Sequence, residues 1–407
     1  MARVLVRSGT SLLPVLIICF LVNACGEDAE PVSGAGAATD PTPEGEPSRG
    51  DWLVLHMLSD PENLNPLTSN DSGASRVLSW IFPSLLRLDE RSLEMVPFIA
   101  SELPKISEDR LSYTFRIRSG VTFSDGTPLT TEDVVFAMKA TKHPRVNAPH
   151  ARNYYEKVRE VVALDRTTVR FSMSEPYFRN IYSLGSVSPL PRHYYDPENL
   201  LDGILVAELD EYDQLDPARK ERADRFAESF NKNYQRNPLG PGAYVLRDPE
   251  RDLVTGEKIT LRHRDDYWAT GDPKLGDGFV DRIVFRIVND PEAALVAFKA
   301  RELDSMSLRP IQHLRATSSA RFQKQADKHV EVLGSFMYIG WNQKKAVFQD
   351  RRVRRALTHL VDKKNIIDKV LLGFGVPIES PIFVKRPEHN DRLEPYEFDP
   401  KRARELL

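Results

Sequence analysis

The chain has 407 residues, 41% of them hydrophobic and 28% charged, which is the balance of a globular protein with two or three domains. Its formal net charge of −3 gives no basic footprint, which argues against a nucleic-acid partner. The two cysteines, Cys19 and Cys25, both lie at the N-terminus. The rest of the chain therefore has no disulfide, thiol nucleophile or cysteine metal site.

The N-terminus has the pattern of an export signal. Two arginines precede an apolar stretch, residues 12–22, that is too short to span a membrane. The sequence VNAC, which ends at Cys25, resembles a bacterial lipobox, although Asn23 is an imperfect residue for it. We predict that residues 1–25 are a lipoprotein signal peptide and that Cys25 carries the lipid. The alternative is a plain secretory signal with an incidental cysteine.

The next segment, residues 26–50, is rich in glycine, alanine, proline and acidic residues and contains no aromatic residue. Such a composition cannot bury enough apolar surface to offset its ordering entropy. It predicts a disordered tether between a membrane anchor and a globular receptor. A disordered tail without a role would have the same composition.

The first elements of the folded part are a strand over residues 52–58 and a helix over residues 76–86, with Pro83 in its last turn. A stronger pattern follows. Apolar and polar residues alternate over residues 113–118, Gly120 ends that run, and SDGTP provides a turn. Thr130 and Asp133 then resemble a capping box. The pattern predicts a strand, a turn and a helix.

Further predicted elements continue to the end of the chain. They are strands at 167–173, 258–261, 283–287 and 335–342, a charged surface helical insertion at 201–233, a tight glycine turn at 237–244, helices capped by Asp290 and Asp350, an apolar stripe at 366–371 and a capped helix that starts near Asp399.

Four arginines, Arg351, Arg352, Arg354 and Arg355, begin the helix capped by Asp350. We interpret them as a solvated helix face. A phosphate site is disfavoured because no aromatic residues interleave with them and the chain has no overall positive charge.

The string YTFRIRSGVTFSDGTPLTTEDVVFAM, residues 113–138, closely resembles the hallmark segment of the family 5 extracellular solute-binding proteins. These are the dipeptide-, oligopeptide- and nickel-binding receptors of ABC importers. Similar family phrases follow in the family's order: SEP at 174–176, the glycine turn at 237–244, ELD at 302–304 and VRRALTHLVDKKNI at 353–366. The family's glycine before the third phrase is Arg301 here. The resemblance extends from residue 52 to residue 407.

The resemblance implies an α/β fold of the class II periplasmic-binding-protein type, two-lobed with a small extra domain. It implies a discontinuous domain I at residues 51–86 and 191–325 and a domain II at 87–190. Residues 326–407 would begin domain III, which we expect to be incomplete because family members continue beyond this point. In the family the hallmark segment is structural and touches no ligand directly.

The resemblance also places a ligand cleft. It implies Asn70, Asp71 and Ser72 from the first domain, Tyr154 or Tyr155 from the second, and Ser335, Met337 and Tyr338 from the third. Asparagine, aspartate and serine are also ordinary loop formers. Residues 336–341 have the pattern of a core strand, and we prefer that role for Phe336 and Ile339.

Catalysis has little support in the sequence. It contains no G-x-S-x-G elbow and no H-E-x-x-H pair, and we predict no catalytic residue, metal or cofactor.

We expect an exported, membrane-anchored lipoprotein, periplasmic or on the cell surface. It would bind a peptide or similar small solute by domain closure and deliver it to an ABC permease. A lipid-anchored surface or scaffold protein that kept the fold without transport is the alternative, and a secreted hydrolase is weaker. Whether the ligand is a peptide, nickel, haem or a sugar is left open.

Overall fold

The computed structural model describes residues 2–6, 49–276 and 278–407. Its contacts divide the chain into two compact units, one of residues 46–293 and one of residues 294–407 together with the N-terminal strand. No helix in the described part of the chain is long and apolar enough to cross a membrane. The predicted lipid site Cys25 and the predicted tether up to residue 48 lie outside the described residues. The predicted domain boundaries stay predictions.

The first unit contains most of the strands in the described part of the chain. Its strands are β2 (Trp52–Met57), β3 (Leu86–Leu88), β4 (Met95–Pro97), β5 (Lys105–Ile106), β6 (Ser112–Arg116), β7 (Val158–Ala163), β8 (Thr168–Met173), β9 (Tyr244–Val245), β10 (Leu253–Val254), β11 (Lys258–His263) and β12 (Arg282–Ile287). Its helices are α1 (Ser72–Leu78), α2 (Thr131–Lys142), α3 (Pro149–Tyr154), α4 (Asn180–Gly185), α5 (Arg192–Tyr195), α6 (Pro217–Asn233) and α7 (Pro249–Asp252), with short 3-10 turns at Ala207–Leu209, Tyr212–Gln214 and Pro273–Leu275.

Two sheets organise this unit. In the larger one, β2 runs parallel to β12, β12 pairs antiparallel with β11, and β11 also pairs with β9 and β10. The smaller one is an antiparallel sheet in the order β5-β6-β8-β7, next to α2. The strands predicted from alternation are confirmed to within about two residues, because one face of each pleat is buried in the core of the unit.

The strand, turn and helix predicted around residues 113–138 are confirmed. Tyr113 and Phe115 are buried on β6, and Gly120 follows with a φ of +81°, in the left-handed region that favours glycine. Helix α2 begins after Thr130, whose backbone N–H donates to the Asp133 carboxylate at 2.8 Å in the predicted capping box.

Two predicted helices have different bounds in the structure. The helix expected over 76–86 is α1, Ser72–Leu78, which ends well before Pro83. Proline cannot donate the helical hydrogen bond and disfavours helical geometry in the residue before it, so the chain turns there and enters β3. The charged segment 201–233 is α-helical only from Pro217. Helix α6 buries Phe226 and Phe230 in the core, so it is an integral part of the unit.

The second unit combines three paired strands with several helices. Its elements are α8 (Pro291–Lys299), β13 (Ser305–Leu308), a π-helical turn at Gln312–Ala316, α9 (Ala320–Gln325), β14 (Ala326–Val330), a 3-10 turn at Ala346–Phe348, α10 (Arg351–His359), α11 (Lys363–Asn365), a π-helical turn at Ile366–Val370 and α12 (Pro400–Leu406). The expected caps form, since the carboxylates of Asp290, Asp350 and Asp399 accept from backbone N–H groups of the helices that follow them.

The N-terminal strand β1 (Ala2–Val6) lies antiparallel to both β13 and β14. It falls within the predicted signal peptide, a prediction that stays untested. Cleavage after residue 24 would remove β1, and β13 and β14 would then lose the partner that they share.

The strand predicted over residues 335–342 is wrong. This segment forms neither a helix nor a strand, and no strand in the described part of the chain pairs with it. The expectation that Phe336 and Ile339 are core residues is also wrong, because they are 46% and 60% exposed. An apolar run becomes a strand only when a neighbour satisfies its backbone N–H and C=O groups.

Candidate functional site: the predicted ligand-contacting surfaces and their support

The loop of Asn70, Asp71 and Ser72 lies before helix α1. The Asp71 carboxylate caps this helix by accepting from the Ala74 N–H at 2.6 Å, and it also accepts from the Ser69 hydroxyl at 3.3 Å. Asp71 therefore has a structural role that accounts for its presence. Asn70 and Ser72 are exposed and offer their side chains to solvent.

The tyrosine pair at the end of α3 divides into one exposed and one packed residue. Tyr154 is 73% exposed, whereas Tyr155 packs against the core of the first unit. Burial raises the pKa of the Tyr155 phenol well above its usual value. Tyr154 is therefore the member of the pair that a solute could reach. In the described part of the first unit, no hydrogen bond or ion pair joins it to the loop of Asn70.

The third predicted group lies on the second unit. Ser335, Met337 and Tyr338 are all exposed, the last two at 79% each, and the ring of Tyr338 lies 5.9 Å from that of Phe336. This segment presents aromatic side chains and backbone outside any helix or strand to solvent. All of these ligand contacts stay predictions.

A buried arginine that was not predicted from the sequence holds the loop of the hallmark segment, residues 113–138, in place. Arg264, 2% exposed, follows β11 and donates from Nη2 to the Phe123 carbonyl at 2.8 Å and from Nη1 to the Thr122 carbonyl at 3.1 Å. Its Nη1 also lies 3.4 Å from the Gly242 carbonyl, and Asp266 accepts from its Nε at 3.1 Å. One guanidinium thus joins the loop before α2 to the glycine turn.

The glycine turn persists as predicted, and its two glycines are required by close backbone approach. A Cβ on Gly240 would lie 2.3 Å from the Ile81 carbonyl oxygen, and one on Gly242 would lie 2.2 Å from that of Trp80. The Gly242 N–H donates to the Ile81 carbonyl at 2.9 Å. Any side chain here would push the turn away from the segment after α1.

A second contact holds the hallmark loop. His193 Nε2 lies 2.6 Å from the Asp125 carboxylate. Burial raises the pKa of Asp125, but hydrogen bonds from His193 and Thr127 outweigh that effect and leave this pKa below its usual value. Together with Arg264, this pair agrees with a structural role for the hallmark segment.

The phrase RHRDDYW around Arg264 offered one signal, an acidic residue two positions after an arginine that ends a strand. That spacing is common on protein surfaces, so it did not show that Arg264 is buried. In the parts of the chain that the structure describes, no three histidine, cysteine, aspartate or glutamate side chains form a group that could hold a metal ion.

Known proteins provide an independent comparison. Residues 94–407 match the family model described as "Bacterial extracellular solute-binding proteins, family 5 Middle". The chain is 24% identical to the oligopeptide-binding protein AppA of Bacillus subtilis, over 97% of this chain and 64% of that protein. It is 26% identical to the heme-binding protein A of Haemophilus influenzae, over 80% of this chain and 56% of that protein. The chain thus spans less than two thirds of the length of these relatives.

Solved structures show the same fold. The structure of AppA from Bacillus subtilis in complex with a nonapeptide matches with a TM-score of 0.65 and 24% identity, over 89% of this chain and 64% of that chain. NikZ from Campylobacter jejuni in complex with Ni(L-His) matches with a TM-score of 0.63 and 21% identity, over 87% of this chain and 62% of that chain. The predicted α/β fold of the periplasmic-binding-protein type is confirmed. Because the family match covers residues 94–407, this protein belongs to the bacterial extracellular solute-binding proteins of family 5.

Proposed function

We propose that this protein is the solute-binding component of an ABC importer, which binds a peptide or a similar small solute and passes it to a membrane permease. The observation that supports this proposal is the family match over residues 94–407. The relatives are named as oligopeptide-, heme- and glutathione-binding proteins. On this proposal the protein is a receptor without a catalytic step.

Peptide recognition is supported by the segment of Ser335, Met337 and Tyr338. It belongs to no helix or strand, and no strand of the described chain pairs with it. Such backbone pairs with an extended peptide through main-chain hydrogen bonds, which give affinity without requiring particular ligand side chains. The exposed phenols of Tyr338 and Tyr154 add apolar contact area and one hydrogen bond each.

Delivery to a permease requires that the ligand favour one conformation of the receptor. A solute that bound open and closed forms equally would shift no population. We therefore propose that contacts from the separate surfaces are made together only in the ligand-bound form. Export, and a lipid on Cys25 that keeps the receptor beside its permease, belong to the same proposal.

The test begins with mass spectrometry of small molecules that co-purify with the full chain, followed by calorimetry with the solute identified. Tyr338→Ala is expected to weaken binding about tenfold, since it removes an aromatic contact and one hydrogen bond. The melting temperature without ligand should stay unchanged, because Tyr338 is 79% exposed. Tyr177→Ala, at another exposed tyrosine, is the control and should bind like the native protein.

Two results would contradict these assignments separately. If Tyr338→Ala binds the solute as tightly as the native protein does, Tyr338 is not part of the binding site, but the receptor function is not contradicted. The receptor function is contradicted, and the scaffold alternative favoured, if no solute co-purifies with the protein and none of the tested ligands stabilises it thermally. The tested ligands are peptides, nickel complexes, haem and sugars.

A further inference from the structure

The second unit contains an open cavity of about 290 Å³ beside helix α10. Its lining residues are Trp341, Gln343, Arg351, Arg354, Arg355, Thr358 and Tyr396. Three of these side chains are guanidinium groups and none is a carboxylate. The cavity wall is therefore positively charged in a chain whose net charge is −3.

The four arginines at the start of α10 have different bonding. Arg352 forms a two-pronged ion pair with Asp350, at 2.7 Å from Nη2 and 3.1 Å from Nε. Arg354 donates to the carbonyls of Phe348 and Gln349 at 2.7 and 2.8 Å. Both therefore hold the start of the helix in place.

Arg351 and Arg355 make no hydrogen bond or ion pair within the described part of the chain, and both are exposed on the cavity wall. They are four residues apart on α10, so their side chains lie on the same face of the helix. Two guanidinium groups with all of their donors available thus face one cavity. An anion there would receive charge-assisted, fork-shaped hydrogen bonds.

The aromatic side chains of the cavity come from distant parts of the sequence. Trp341 packs on Phe348 with ring centroids 5.4 Å apart. Tyr396 packs on His359 at 5.4 Å, and the His359 carbonyl accepts from the Asp399 N–H at 2.9 Å, which holds the C-terminal segment against α10. The sequence disfavoured a phosphate site here for want of aromatic neighbours, and folding brings two of them to the arginines.

We propose that this cavity binds a small anion, a phosphoryl or carboxyl group carried on a planar or apolar body, with Arg351 and Arg355 on the charge and Trp341 and Tyr396 on the body. The site is made of second-unit residues alone and shares none with the predicted solute contacts. A free metabolite and a lipid headgroup both provide the phosphoryl chemistry, and the test separates them.

The probes are inorganic phosphate and phenyl phosphate, titrated into the full chain by calorimetry at low salt. We expect saturable binding, with phenyl phosphate tighter than inorganic phosphate and a dissociation constant near or below about 1 mM. The double variant Arg351→Gln/Arg355→Gln should bind phenyl phosphate at least about tenfold more weakly, because hydrogen bonds to charged groups are the strong ones.

Arg352→Gln is the control, since it removes one positive charge from the same helix at a residue that does not line the cavity. It should change the affinity by less than about twofold, as expected of an exposed charge outside the site. The variants replace surface side chains, and equal melting temperatures would show that they fold alike. Trp341→Leu should lower the preference for phenyl phosphate over inorganic phosphate.

Each outcome decides the proposal. The proposal is overturned if neither the two phosphate probes nor vesicles bind saturably. It is also overturned if Arg352→Gln and the double variant weaken binding of phenyl phosphate equally. Vesicles of phosphatidylglycerol, with phosphatidylcholine as reference, identify the source of the anion. If vesicles bind the native chain but not the double variant, the site is supported and its ligand is a lipid headgroup. If vesicles are the only probe that binds and the double variant still binds them, the proposal is overturned.

Discussion

Arg301 occupies a position whose backbone conformation favours glycine. It follows α8 with a φ of +65°, its N–H donates to the Phe298 carbonyl, and the Glu302 N–H donates to the Ala297 carbonyl, both at 2.9 Å. This is a Schellman helix end, whose left-handed residue is usually glycine. The family phrase has glycine here, so the structure explains in physical terms what the resemblance implied.

We predict that Arg301→Gly raises the free energy of unfolding by about 0.5–1 kcal/mol, because it relieves the left-handed strain at an exposed site. Urea denaturation measures the change. Arg301→Ala is the control and should give no such gain, since alanine keeps the Cβ that causes the strain. Equal effects of glycine and alanine would assign the change to the lost arginine side chain instead.

His143 makes the folded chain sensitive to mild acid. It is fully buried beside Tyr212, and its Nδ1 accepts from the Arg145 N–H at 3.1 Å, which requires the neutral ring. Burial lowers the pKa of His143 from 6.5 to about 4. Since the unfolded chain binds this proton more readily, stability is lost as pH falls from about 6.5 towards 4.

We predict that His143 accounts for up to about 3 kcal/mol of the stability lost between pH 6.5 and pH 4. Unfolding free energies of the native chain and His143→Gln, measured across this range, should differ in slope. His150→Gln, at an exposed histidine, should keep the native slope. Parallel curves for the native chain and His143→Gln would contradict the prediction.

At the scale of elements, Arg264 connects the loop before α2 to the glycine turn. Its loss would leave the buried carbonyl of Phe123 and the part-buried carbonyl of Thr122 without their donors. We predict that Arg264→Met lowers the free energy of unfolding by about 2–4 kcal/mol, the cost of two or more unsatisfied buried groups. Arg264→Lys should recover only part of this, because an ammonium group lacks the fork.

Arg247→Met is the control for that measurement. Arg247 lies in the same region, is 52% exposed and forms a 3.7 Å ion pair with the exposed Asp265. Its replacement should change stability by less than about 0.5 kcal/mol. If Arg247→Met and Arg264→Met destabilised the protein equally, the buried network would not be the cause.

The elements that the sequence predicted well carry their own local signals. Strand β6 and helix α2 follow from alternation, Gly120 and the capping pair, all of which act within a few residues. The segment 335–342 is an apolar run of strand length but has no strand partner in the described chain, so its pattern alone was insufficient. The cavity of Trp341, Arg351 and Tyr396 could not be predicted, because its residues come together only in the folded unit.

At the scale of the whole molecule, the proposed receptor function would depend on where the chain is held. If residues 26–50 form the predicted tether, a flexible coil of about 25 residues would span roughly 25–30 Å. That reach would let a lipid on Cys25 keep the two described units close to a membrane permease. A single acyl chain binds membranes only marginally, so stable anchoring needs the multiple chains of a bacterial lipoprotein.

We predict that Cys25→Ser moves the protein from the membrane fraction to the soluble fraction when cells are separated by centrifugation. Cys19→Ser is the matched control, because it changes the only other cysteine and lies within the predicted leader; it should leave the protein in the membrane fraction.

The same preparation also tests whether strand β1 is present in the mature chain. If the leader is cleaved, β1 is absent from the mature chain, and N-terminal sequencing should find no peptide that begins before Cys25. Native protein that is already soluble and keeps residues 2–6 would contradict the anchor and leave β1 as a permanent strand.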